Sequence, residues 1–193
     1  MDRKEFLKSF GVLGVGSCFF TGTVGAAANS LVDSPPVTPC DEIRDFAHTW
    51  VKRFFDNFDS SLDEQKKKEI MESCGKTCFR GSLTGRKIAP VDVDLLIEGI
   101  NKNTGEIAAK RDGNVVEFHY VANPRGLRVA DGYCLCPLVE SGPEGLSGTY
   151  CDCSVGYVRE MFETYTGRKA TVELLESLKR GGKGCRFRIT FTS

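Results

Sequence analysis

Near residue 103 the spacing of apolar side chains switches from a helical to a strand period, which restricts the possible folds more than any other feature of the chain. Upstream, Ile43, Phe46, Ala47, Trp50, Val51, Phe54, Phe55 and Phe58 recur at steps of three and four. So regular a stripe predicts a long core-facing helix that begins near Asp41 and holds Trp50 and Phe54 inside the protein. Ser61 and Glu64 form a capping-box pattern for a second helix. That helix runs through "DEQKKKEI" towards Cys74 and Cys78, with its lysine run on a solvated face. "PVDVDLLIEGINKN" predicts a third, shorter helix, with Pro90 near its start and Val93, Leu96, Ile97 and Ile100 on its apolar side.

Downstream the period is two. "GEIAAKRDGNVVEFHYV" predicts a hairpin turning at Asp112-Gly113, with Val116, Phe118 and Tyr120 on one face. A helix from Ser154 buries Val155, Val158, Met161, Phe162 and Tyr165 and stops at Gly167. "KATVELLESLK" and "CRFRITF" are strands joined across "RGGKG", with Cys185, Phe187, Ile189 and Phe191 inward and Arg186, Arg188 and Thr190 outward. The fold class is α+β, with N-terminal helices packed on one face of a small antiparallel sheet.

The first 28 residues read as an export signal outside the fold. Arg3, Lys4 and Lys8 precede a Gly-softened apolar run from Phe10 to about Val24, and the small residues "VGAAA" suit a signal peptidase. "DRKEFLK" resembles a twin-arginine export motif, with Lys4 in place of the second arginine. A lipid on Cys18 within "VGSC" and an uncleaved anchor are the alternatives, although the run falls short of the roughly 20 apolar residues that a span prefers. Residues 29–39 form a Pro-bearing linker, and residues 40–193 a single cysteine-rich domain. The expected location is the periplasm or cell envelope. The 26 basic and 26 acidic residues cancel, so no nucleic-acid face is expected, and no membrane contact beyond the signal or a lipid on Cys18.

Nine cysteines carry most of the candidate chemistry. Two Cys-x-Cys pairs, Cys134 with Cys136 and Cys151 with Cys153, bracket the Gly/Pro/Ser-rich "PLVESGPEGLSGTY". In extended chain, such a pair shares a face at about 6.6 Å between Cα atoms, the outer limit for a disulfide. The two pairs can instead face each other, as cross-links or as one four-thiolate site. Zinc and an iron–sulfur cluster are the candidate cofactors, although usual zinc motifs place two or more residues between ligands. Cys74 and Cys78 lie at i and i+4. They can join that site, or they can form a disulfide if Gly75 breaks the helix. Cys185 reads as a buried structural thiol. The helix that starts after Cys153 presents its positive end to the thiols there and favours thiolate. His119 alternates away from Phe118 and Tyr120, and beside Cys151 or Cys153 it would serve as the base of a thiol nucleophile.

"CLCP", "TYCDCSVGYVREMFETYTGR" and "VELLESLKRGGKGCRFRI" resemble the C-terminal half of a poorly characterised bacterial group. That group in turn resembles the L-2-amino-thiazoline-4-carboxylate hydrolase family and, more distantly, 4-vinyl reductase-type ligand-binding domains. The resemblance implies an α+β fold with a small-molecule cavity between helices and sheet. It places Cys151, Cys153 and Cys185 at positions of interest, with Tyr157 and Arg186 as nearby ligand-binding candidates. Three expectations stand together: a module binding a metal, cluster or small molecule, a thiol-dependent hydrolase, and a disulfide-stapled structural domain.

Overall fold

The structure, a computed structural model, describes residues 39–83, 85–102, 107–120 and 145–192. The expected leader, most of the linker, Cys18, Cys134, Cys136 and the side chain of Cys40 lie outside the described residues. In chain order the elements are α1 (Pro39–Ser61), α2 (Glu64–Leu83), α3 (Val93–Asn101), β1 (Ile107–Asp112) and β2 (Val115–Tyr120). They continue with a 3-10 turn (Gly148–Asp152), α4 (Cys153–Thr166), β3 (Ala170–Glu176), a second 3-10 turn (Leu178–Arg180) and β4 (Cys185–Phe191). The expected α+β class is the one observed, with four helices and a four-stranded antiparallel sheet in the order β1-β2-β4-β3.

Alternation builds the sheet as the sequence reading expects. Phe187, Ile189 and Phe191 of β4 point inward beside Cys185, whereas Arg186 and Arg188 are exposed. The register sets Phe118 opposite Phe187 and Tyr120 opposite Cys185, so apolar pairs stack across β2 and β4. The hairpin turns at Gly113, whose φ of 60° lies in the left-handed region that glycine tolerates. Helix α4 covers this face with Val155, Val158, Met161, Phe162 and Tyr165, and the Phe162 ring meets Phe118 edge-on at 5.5 Å. Each such large side chain contributes about 1.5–3 kcal/mol through burial. At the sheet edge, the Asn101 side chain donates to the Ala109 carbonyl and accepts from the Ala109 amide, both at 2.8 Å. The end of α3 thereby satisfies backbone groups that an edge strand would otherwise leave open.

Helix α2 departs from expectation in two respects, its cap and its lysine run. Its start is capped by Asp63, whose carboxylate accepts from the Lys66 amide at 2.8 Å, while Ser61 is the last residue of α1. Lys67, in the middle of the lysine run, is buried with its amine 2.8 Å from Glu64. The helix also passes unbroken through Gly75, so Cys74 and Cys78 stay one turn apart as exposed thiols. Gly75 does not break the helix but permits close packing. A side chain at Gly75 would collide with the Cys153 carbonyl, and one at Gly156 with the Glu72 carbonyl, so α2 and α4 cross backbone against backbone.

Helix α1 is half a core element. Phe55 and Phe58 are buried with Met71, Leu146 and Tyr150 in a second, smaller cluster. Trp50 and Phe54, expected inside, are 58% and 46% exposed, and Ile43 and Phe46 are more open still. An apolar stripe states that something should cover a helix face. The described residues cover only its C-terminal part.

Candidate functional site

The site forms where the chain enters α4. The Ser147 hydroxyl accepts from the Thr149 amide at 3.1 Å and starts the 3-10 turn that carries Tyr150, Cys151 and Asp152. Asp152 is buried, and its charge is met by the Arg180 guanidinium at 2.8 Å, which also donates to the Gly148 carbonyl at 3.1 Å. This clamp ties the first 3-10 turn to the second. No sequence pattern announces it, because its two partners come from separate loops.

The two thiols of the Cys-x-Cys pair take different surroundings. The expectation of a shared face assumed extended chain, whereas the backbone here is helical. Residues two apart are then rotated by about 200°. Cys151 is buried and near Cys185, whereas Cys153 packs against the smaller cluster under α1. Cys185 itself is buried in β4. Burial pushes its thiol above the ordinary value, and the neighbouring Cys151 adds to this, against hydrogen bonds with the Leu178 backbone and the Tyr120 side chain. The Tyr120 hydroxyl also lies 3.4 Å from the Ser154 hydroxyl, in the first turn of α4. The structure thus brings together Cys151, Cys185, Tyr120 and Ser154.

The other candidates are distributed. His119 is exposed on the outer face of the sheet, opposite to the side on which Phe118 and Cys185 lie. Its backbone partner is Arg186, also exposed, whose guanidinium sits 3.7 Å from Glu176. Tyr157 lies on the inner side between α2 and α4, with its ring edge-on to Phe79 at 5.3 Å. Burial pushes the Tyr157 phenol up, a Ser82 hydrogen bond opposes this, and nearby Cys78 adds to it. Tyr157 and Arg186 therefore do not share a pocket. Among the described residues no group of three or more His, Cys, Asp or Glu side chains is set to hold a metal. No described helix is long and apolar enough to cross a membrane.

Two clefts lie along the connection from β3 to β4. One, of about 140 Å³, is lined by His119, Tyr120, Glu176, Lys183, Cys185 and Arg186. The other, of about 350 Å³, lies over Leu174, Glu176, Ser177 and Arg180. Glu176 lines both and accepts from the Lys183 amide at 2.7 Å.

The profile of a family described as a family of unknown function, DUF6144, matches residues 40–193. No curated protein matches the chain. Among solved structures, the chain is similar to a trafficking protein particle complex subunit 3 from Naegleria fowleri, solved covalently bound to palmitic acid. The two are 11% identical, the match covers 79% of this chain and 96% of that one, and the TM-score is 0.44.

Proposed function

The chain belongs to the DUF6144 family, and from that premise we propose that its domain is an exported thiol-based binding module for a soft metal ion or cluster. The observation that supports this reading is that Cys151 and Cys185, from distant parts of the chain, lie near enough to interact electrostatically by the entry to α4. Chain connectivity adds to it. The described chain stops at Tyr120, whose hydroxyl reaches Ser154, and resumes at Gly145, next to Leu146 in the cluster with Tyr150. Cys134 and Cys136 belong to the segment between these two points and lie outside the described residues. Cys136 is nine residues from Gly145, a tether of at most about 30 Å. The proposed ligand set is Cys151, Cys134 and Cys136, with Cys185 as the fourth sulfur in place of Cys153. A bound metal deprotonates its thiols outright, which offsets the preference of buried Cys185 for the neutral form. Zinc and an iron–sulfur cluster both accept four sulfurs.

A thiol-dependent hydrolase needs a base within reach of the nucleophile, and His119 on the outer face does not supply one to Cys151. The test is elemental analysis and thiol counting on freshly isolated protein, followed by Co²⁺ titration of metal-stripped protein. The expected result is one metal equivalent or cluster with a thiolate-to-cobalt absorption band, lost in Cys151→Ser and Cys185→Ser and kept in Cys153→Ser. A protein without metal and without the cobalt band overturns the reading. A disulfide recovered between Cys151 and Cys185 also overturns it, in favour of a stapled domain.

A further inference from the structure

Four large apolar side chains of α1 face outward: Ile43, Phe46, Trp50 and Phe54 are 69%, 73%, 58% and 46% exposed. Trp50 stacks on Phe54 at 5.6 Å, so the patch is continuous. At 100° per residue these four occupy an arc directly beside that of Val51, Phe55 and Phe58, which packs on the body of the domain. The apolar surface of α1 is therefore about twice as wide as the part that the domain covers. Scaled by usual side-chain areas, the open part amounts to about 500 Å², the upper end of what a monomer displays.

We infer that this face pairs with the same face of a second copy, the two α1 helices running antiparallel. Charge argues for that occupant and that direction. Glu42 and Arg53 are both exposed and flank the same edge of the stripe, one near its N-terminal and one near its C-terminal end. Antiparallel pairing about the middle of the stripe sets Glu42 of each copy beside Arg53 of the other, twice per dimer. Parallel pairing would put that edge of the two copies on opposite sides of the interface, where Glu42 and Arg53 do not meet. Phe46 then meets Trp50 of the second copy, and Ile43 meets Phe54. Two such patches together bury about 1,000 Å², the size at which specific interfaces begin. A helix lying on a membrane surface carries Lys and Arg along its polar side. Here exposed Glu42, Asp45 and Asp56 flank the helix, and Lys52 is paired with Asp56 at 2.8 Å.

Trp50 is the only tryptophan, so it reports on this face directly. The protein as isolated is measured by sedimentation over a wide concentration range, with Trp50 emission followed in parallel. The expected result is a dimer whose Trp50 emission shifts to the red on dilution, and a monomer with red-shifted emission in Phe46→Glu. Glu42→Arg and Arg53→Glu each weaken the dimer, and the double variant restores it. A wild-type monomer overturns the inference, whether Trp50 is open to acrylamide or shielded by another part of the same chain. A blue shift seen only with anionic phospholipid vesicles overturns it in favour of a membrane surface. Failure of the double variant to restore a dimer that Phe46→Glu dissociates overturns the antiparallel register.

Discussion

Gly75 of α2 lies directly against the carbonyl oxygen of Cys153, the first residue of α4. The matching approach of Gly156 to the Glu72 carbonyl makes the crossing reciprocal, with one glycine on each helix at the contact. The entry of α4, and with it the thiol site, is placed by backbone contact rather than by interdigitating side chains. Salt bridges flank the crossing, with Arg159 at 2.7 Å from Glu72 and Arg80 at 2.6 Å from Glu160.

Gly75→Ala is therefore expected to destabilise the fold by about 3 kcal/mol, the upper range for overpacking, because the obstacle is backbone that cannot rotate away. Gly81→Ala on the same helix places its methyl in open space and should stabilise by up to about 1 kcal/mol through helix propensity. Urea denaturation of both variants checks this. Equal effects at the two positions would refute the close crossing.

In the metal-free protein the thiol of Cys185 gives a pH signature. Its folded-state pKa is raised above the ordinary 9.0, chiefly by burial, so the fold favours the protonated thiol. Its contribution to stability is complete below about pH 9. It declines as the pH rises through the folded value, because there the unfolded chain releases a proton that the folded chain retains. Unfolding midpoints measured up to pH 10.5 should fall more steeply for the wild type than for Cys185→Ala. At neutral pH, iodoacetamide should label exposed Cys74 and Cys78 well before Cys185.

The sheet and α4 were legible in the sequence because one face of each is buried and the other is not, so the period of β4 and the stripe of Val155, Val158, Met161 and Phe162 map directly onto burial. The stripe of α1 is as regular, yet periodicity records that a helix face is apolar and not what covers it. For that reason the stripe alone points Trp50 and Phe54 into the core, whereas both are open. The Cys-x-Cys pair misled through local backbone. A rise of two residues shares a face in a strand and divides it in a helix, and "SGTYCDC" folds as a 3-10 turn entering a helix. The crossing had a usable signal. Glycine inside a helix costs about 1 kcal/mol relative to alanine, so Gly75 and Gly156 within two amphipathic segments already pointed to close approach. The Asp152–Arg180 clamp had none, since both residues read as ordinary surface charges.

Glu163 supplies a last expectation, on the acid side. Burial draws its carboxyl upward, but the Ala170 amide at 3.1 Å and the Lys169 amine at 3.0 Å more than reverse this, leaving it below its ordinary 4.5. A lowered carboxyl contributes stability that is complete above the unfolded value and is lost as the pH falls through the folded value. The contribution should thus be whole at pH 6 and decline from about pH 4.5 downward. The two partners, Lys169 and Ala170, lie where the chain passes from α4 into β3, so the carboxylate fastens the helix end to the start of an outer strand. Glu163→Gln keeps one acceptor for the Ala170 amide but loses the charge. It should lower stability by about 1 kcal/mol at pH 7 and by progressively less towards pH 3. Thermal unfolding of both proteins across that range is the measurement. A difference that stays constant with pH would assign the role of Glu163 to packing instead of charge.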